Sequence, residues 1–297
     1  MELRLAAVAH DRDAETRRNP LALDALAKEG LTILVARDLV AMQAGRLAFV
    51  PYGVLEGSPR YYLGIHDGVG YFATDVADQL VDSEWSEFLA GLHFVSMREV
   101  GGELTPLDTG LAVSAVSLIA WRNRTRFCPS CGQPLTMRAA GWEMSCDNGH
   151  LNFPRTDPAV IMAIRDSEDR LLLGRNRAWD VDRYSTLAGF VEAGETPEGC
   201  VRREVMEEVG IKVGEIEYIG SQPWPFPRSL MLAFRGWTEQ TEADIQVDGS
   251  EILRAHFFER EELIENFRSG EVYMPGKAAV ARWLIEDWLG GPLEELV

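Results

Sequence analysis

"GFVEAGETPEGCVRREVMEEVGI", residues 189–211, decides how the second half of this chain is read. Thr196 can cap a helix with Pro197 at its first position, and Gly210 can end it in a left-handed turn, so the helix is expected over 197–209. Glu204, Glu207 and Glu208 then fall at i, i+3 and i+4, which puts three carboxylates on one face. Like charges at that spacing repel. A hard divalent cation that prefers oxygen ligands, magnesium or manganese, is the natural compensation. Gly189 and Gly194 let the preceding loop turn tightly and bring Glu195 towards the same face.

The string fits G-x5-E-x7-R-E-U-x-E-E-x-G-U, with U aliphatic, at Gly189, Glu195, Arg203, Glu204, Val205, Glu207, Glu208, Gly210 and Ile211. It resembles the Nudix box. The resemblance implies a hydrolase of a nucleoside diphosphate linked to another moiety. By similarity, Glu204, Glu207 and Glu208 bind the catalytic metals, Arg203 orients a box glutamate, and Glu195 supports the loop or contacts metal through water. Glu251, in "SEILRAHFF", resembles a downstream acid that completes the metal site. The general base is left open between Glu208, the first choice, and Glu251.

Ten residues past the box stands "SQPWPFPRS" (221–229). Its prolines lock φ and push each preceding residue into extended geometry, so a stiff rod is expected, with Trp224 and Phe226 in fixed directions along the substrate cleft. A box followed at that distance by S-Q-P-W-P-F-P-x-S resembles the NADH pyrophosphatase subfamily of Nudix hydrolases. What this implies is metal-dependent cleavage of the diphosphate of NAD(H) to nicotinamide mononucleotide and AMP. The same bond in another setting gives the alternatives: removal of an NAD cap from RNA 5′ ends, or action on a different nucleoside diphosphate such as ADP-ribose. Phe190 resembles the nicotinamide-stacking position, and Phe153 an aromatic contributed by the partner subunit. Ala281 matches a position lining the base pocket, while Gln222, Ser229 and Trp224 are substrate contacts on this reading. A homodimer is expected because the family forms one.

"CPSCG" and "CDNGH" place Cys128, Cys131, Cys146 and His150 at zinc-knuckle spacing. The subfamily carries four cysteines here, whereas Gly149 occupies the fourth cysteine position in this sequence. A structural Cys3His zinc site and a metal-free ribbon both remain open, with zinc favoured. Cys200, inside the box helix, reads as a packing residue. Arg122, Arg124, Arg126, Arg138 and Arg155 crowd the same region, as a solvated linker or as a basic patch for phosphate or RNA.

The expected fold is α+β: residues 1–122 as a smaller α+β N-terminal domain, 123–155 as a zinc ribbon, and 156–297 as a Nudix α/β/α sandwich. "GLAVSAVSLIAW" (110–121), the longest apolar run, is too short to span a membrane, and a helix is expected over 111–121. Further helices are expected within 83–97 and over 277–290, and paired buried strands over 158–166 and 169–177. The N-terminus lacks the apolar core of a secretion signal, so a cytoplasmic location is expected. A net charge of −18 argues against a broad basic face for nucleic acid and against an anionic membrane, so any anionic ligand needs local compensation.

Overall fold

The computed structural model describes residues 3–54, 59–80, 86–179 and 182–296. The chain divides into two compact units, one of residues 157–223 with 229 onward, the other of residues 5–156 with 224–228.

The N-terminal unit begins with α1 (Pro20–Ala27), β1 (Leu31–Ala36), β2 (Leu39–Gln43), β3 (Arg46–Leu47), β4 (Phe49–Pro51), β5 (Arg60–His66) and β6 (Val69–Asp75). After α2 (Ser86–Ala90), β7 (His93–Ser96) and α3 (Met97–Val100) comes the long α4 (Pro106–Arg124). The sheet runs β3-β2-β1-β6-β5, with β4 on β1 and β7 on β2; β1 and β6 are parallel. The helix expected over 111–121 starts earlier because the Thr105 hydroxyl accepts from the Asp108 amide and Pro106 sits in the first turn. Its residues Asp108 to Ala115 are all buried, too many for one amphipathic stripe. The helix expected within 83–97 is corrected to a short helix, a strand and a second short helix; residues 83–85 lie outside the described residues.

Ribbon strands β8 (Thr136–Arg138), β9 (Glu143–Ser145) and β10 (Leu151–Asn152) form a small antiparallel sheet. Trp121, Leu135 and Met144 pack with Cys128 and Cys146 as its core.

In the other unit, β11 (Asp157–Arg165), β12 (Leu171–Asn176) and β13 (Leu187–Phe190) precede α5 (Pro197–Val209). They are followed by β14 (Ile216–Trp224), β15 (Ser229–Trp237), β16 (Ile252–Phe258), α6 (Arg260–Ser269), α7 (Val280–Leu289) and α8 (Leu293–Leu296). The sheet order is β14-β15-β11-β12-β16, and β13 shares an edge of β11 with β12. Strand alternation sends Val160, Met162 and Ile164 to one face, where they pack with Val201, Val205 and Val209 of α5. Ile161 and Ala163 face the other way, towards Leu284, Ile285 and Trp288 of α7. The result is a helix, sheet, helix sandwich.

The rod expected at 221–229 is corrected. β14 ends at Trp224, Pro225 to Arg228 form a turn, and β15 starts at Ser229. The Phe226 amide donates to the Trp224 carbonyl at 2.8 Å, and the Phe226–Pro227 bond is cis. Prolines restrict φ here, yet a turn uses those values as readily as a strand does.

Candidate active site

The box helix forms where its sequence places it. Thr196 Oγ1 accepts from the Gly199 amide at 3.1 Å, Pro197 opens α5, and Gly210 closes it at φ +73°. Its apolar face is buried under the sheet; Glu208 is buried along that face, while Arg203 and Glu204 are half-buried and Glu207 is exposed.

Arg203 organises the box carboxylates. Its Nε and Nη2 reach both Glu195 oxygens at 2.9 Å, and Nη1 reaches Glu204 at 2.8 Å and Glu207 at 3.0 Å. Nη2 also donates to the Phe190 carbonyl at 3.0 Å and to Cys200 Sγ at 3.3 Å. The bidentate bond to Arg203 brings the Glu195 carboxyl down to about 2. Three carboxylates raise the pKa of Arg203 in turn. Glu195 also accepts from the Glu192 amide, so it ties the loop to the helix. Gly189 has a steric reason to be glycine, since a Cβ there would overlap the Glu204 carboxylate.

Glu208 has no such partner. It is 5% exposed, and its Oε2 is buried without a hydrogen bond. Burial first, then Glu251, Glu204, Asp248 and Glu207, push its carboxyl up to about 8. Glu204 is also raised, because burial outweighs its bond to Arg203. The loop 248–251 is fixed by Asp248, whose carboxylate accepts from the amides of Ser250, Glu251 and Ile252 and from the Ser250 hydroxyl. The Ser250 hydroxyl first, helped by those amides, brings Asp248 down to about 2. The Asp248 amide donates to the Glu208 carbonyl at 3.0 Å, which pins the loop carrying exposed Glu251 to the end of α5. Sequence reading missed Asp248; the Asx-turn pattern D-G-S-E was the available signal.

A hard cation fits this donor set. Glu204, Glu207, Glu251 and Asp248 all act on Glu208 electrostatically, and Glu208 has a buried free oxygen. Glu204 and Glu207 are drawn to Arg203 and do not gather as tightly as the ribbon ligands do.

The other expected residues are dispersed. Phe190 ends β13 and is 58% exposed. Gln222 is buried and its amide donates to the Ala278 carbonyl at 2.9 Å; Ser229 and Ala281 are also buried, the latter in the core under α7. Trp224 and Phe153 belong to the N-terminal unit, where Phe153 is 56% exposed and Trp224 meets Phe226 edge-on at 5.0 Å.

In the ribbon, the ligand atoms of Cys128, Cys131, Cys146 and His150 all lie within 4.8 Å of one another. Cys131 and Cys146 sulfurs are 3.7 Å apart, and His150 Nδ1 is 3.5 Å from Cys128 and 3.6 Å from Cys146. A tetrahedral zinc with Zn–S bonds of about 2.3 Å requires edges of about 3.8 Å, so the set fits zinc. Burial raises the Cys128 thiol, but the Ser130 and Cys131 amides and the neighbouring ligands outweigh it and bring it to about 6. Gly149, at φ +79°, supplies the turn that lets His150 take the fourth corner. Cys200 is fully buried among α5 and sheet residues of the other unit.

Residues 155–275 match the NUDIX domain, and residues 123–150 match the NADH pyrophosphatase zinc ribbon domain. The chain is 40% identical over 203 residues to the NAD-capped RNA hydrolase NudC of Mycobacterium bovis, covering 65% of this chain and 64% of that protein. It is 38% identical over 200 residues to the NAD-capped RNA hydrolase NUDT12 of Pongo abelii, covering 63% of this chain and 43% of that protein. A solved NUDIX hydrolase from Nitrosomonas europaea aligns with a TM-score of 0.43 at 21% identity, over 56% of this chain and 94% of its own. Among the described residues no helix is long and apolar enough to cross a membrane. The box geometry agrees with both matches: residues 155–275 carry a NUDIX domain, preceded over residues 123–150 by an NADH pyrophosphatase zinc ribbon domain.

Proposed function

We infer that this protein hydrolyses the diphosphate of an NAD-type dinucleotide to nicotinamide mononucleotide and AMP, by attack of water on phosphorus. The observation that carries this reading is Glu208: a buried carboxyl with a free oxygen, raised to about 8 by burial first and then by four neighbouring acids, on a helix that matches the Nudix box.

Glu204, Glu207, Glu208 and Glu251 would hold divalent cations, magnesium or manganese. Bound there, such cations neutralise a diphosphate, polarise phosphorus and lower the pKa of an attacking water. The protein's own contribution is orientation and proton handling. Glu208, unencumbered by Arg203, is the residue to accept the proton of the water. Arg203 fixes Glu204 and Glu207, and Asp248 fixes the loop of Glu251. Phe190 offers an exposed ring on which a flat base can stack. The Cys3His set would hold a structural zinc, with no position left open for substrate. A homodimer, with Phe153 reaching the partner's site, is part of the same reading. So is the three-domain division 1–122, 123–155 and 156–297.

NAD-capped RNA presents the same bond in a larger substrate, and the activity for which both relatives are named favours it as a second substrate. The test is turnover with magnesium or manganese on NADH, ADP-ribose and a dinucleoside polyphosphate, following products by chromatography. Preference for NADH, with equal release of AMP and nicotinamide mononucleotide, is expected. Preference for ADP-ribose, or no metal-dependent turnover, would overturn the assignment.

A further inference from the structure

In the sheet of the box unit, one pair of residues works against the pairing of its strands. Between β12 and β16, Leu171 stands opposite Phe258, Leu173 opposite His256, and Arg175 opposite Arg254. Leu171, Leu173 and Phe258 pack with residues of α6 and α7, so strand alternation puts both arginines on that face. Ile252 packs instead with α5 residues, because the register slips between Arg175 and Asn176. A bulge of this kind re-aims side chains, and here it turns Arg254 to the side of Arg175. Like charges directly opposite each other destabilise a sheet. Asp182 answers one of them, 2.8 Å from Arg175 Nε. Arg254 is exposed, and no acid pairs with it among the described residues.

The two arginines line a cleft of about 630 Å³, within the usual size of small-molecule sites. Its inner wall is aromatic: Phe258 is buried, and Tyr184 meets it edge-on at 5.2 Å. Tyr273 also lines the cleft and is 52% exposed, yet its backbone is fixed. Its amide donates to the Asp182 carbonyl at 3.0 Å, and its carbonyl accepts from the Tyr184 amide at 3.1 Å. On α6, Glu262 and Asn266 stand one turn apart on the same side. His256 is already engaged, with Glu242 3.0 Å from its Nδ1 and Glu262 3.1 Å from its Nε2. What the cleft still offers is a cation on the strand side, an exposed ring, and the Asn266 amide with exposed Glu271 on the helix side. That polarity suits a small molecule with an anionic group at one end and a flat base with hydrogen-bonding edges at the other.

We propose that this cleft binds a nucleoside monophosphate, with its phosphate on Arg254 and its base against Tyr273, as a site separate from the carboxylates of the box. The cleft stands on its own residues. Only the choice of AMP as ligand, a product of the hydrolysis inferred above, rests on that reading.

The experiment is calorimetric titration of the full chain with AMP, without added divalent metal, so that the box carboxylates repel phosphate instead of receiving it through a cation. Arg254→Gln is expected to lose about ten-fold or more in affinity, as for a hydrogen bond to a charged group, and Arg254→Lys to keep most of it. Tyr273→Ala should lose about five-fold or more, the stacking of one base. Inorganic phosphate should bind far more weakly than AMP. Glu207→Gln should leave AMP affinity unchanged, and Arg254→Gln should leave kcat/KM for NADH within about two-fold. Unchanged AMP affinity in Arg254→Gln overturns the proposal. So does inorganic phosphate binding as tightly as AMP, because the ring would then contribute nothing. An equal loss in Glu207→Gln would put AMP at the box, and a parallel fall in NADH turnover in Arg254→Gln would make the cleft part of the dinucleotide site; either result contradicts a separate site. If the wild-type chain does not cleave NADH but AMP binding shows the expected losses, the cleft stands and the dinucleotide reading falls.

Discussion

The ribbon and the box helix are both clusters of metal-ligand chemistry, and they are built in opposite ways. In the ribbon, four ligand atoms already lie within 4.8 Å of one another, and the Cys131–Cys146, Cys128–His150 and Cys146–His150 edges, at 3.7, 3.5 and 3.6 Å, are near those of a zinc tetrahedron. In the box, the carboxylates repel, Arg203 holds Glu204 and Glu207, and Glu208 is left buried and protonated well above the ordinary range of a glutamate. A closed set serves folding, because every position is filled by protein. An open, electrostatically strained set leaves positions for water and substrate, and a bound cation relieves the strain. On the proposed reading, one cluster serves stability and the other chemistry.

The contrast can be broken most sharply at Gly189. Gly189→Ala pushes a Cβ into the end of the Glu204 side chain, which can swing away at little structural cost. Turnover of NADH should fall by more than about 100-fold, beyond the 10–100-fold typical of groups that only support ligands, while Tm changes by no more than a few degrees. Arg203→Ala comes next, because it frees Glu195, Glu204 and Glu207 together. A loss of about 10–100-fold in kcat/KM is expected, accompanied by a lower Tm; steady-state kinetics with a thermal melt checks both. Cys146→Ser tests the other side of the comparison. Metal analysis should show the loss of bound zinc, and Tm should fall by roughly 10 °C, the result of several kcal/mol at 2–4 °C each. kcat in the folded fraction should stay within about two-fold, because the set has no position open to substrate.

The smallest expected effect is a pH dependence of stability. The folded pKa of Glu208, about 8, lies above the ordinary 4.5, so its stabilising contribution is complete below 4.5 and is lost as pH rises towards 8. Glu195 runs the other way: held at about 2, it contributes above 4.5 and loses that contribution as pH falls through about 2. The Tm difference between wild type and Glu208→Gln should therefore widen against wild type by a few degrees between pH 5 and pH 8. Magnesium or manganese should raise the wild-type Tm more at pH 8 than at pH 5.

Much of the box unit was legible in the sequence, because local chemistry determines it. Thr196, Pro197 and Gly210 bound α5 by capping rules, and two apolar runs gave β11 and β12 as a buried pair. What the sequence could not show is tertiary. Gly189 reads as a loop glycine until Glu204 is seen against it. Asp248 is one acid among many until its bonds to three amides appear. "SQPWPFPRS" was misread as a rod because proline fixes φ without fixing ψ, and a turn satisfies both. Gln222 gave no sign that its amide is spent on Ala278. The arginines near the ribbon were visible in sequence, but that Arg124 and Arg126 are exposed was not.

Glu208→Gln in NADH hydrolysis, with magnesium or manganese and with Tm recorded in parallel, tests the division of labour between the two clusters most directly. A fall in kcat of about 10²–10⁴-fold, as for loss of a proton acceptor, with Tm at pH 8 unchanged or raised, is the predicted result. Unimpaired hydrolysis, or a loss of activity that merely follows a loss of fold, would contradict it.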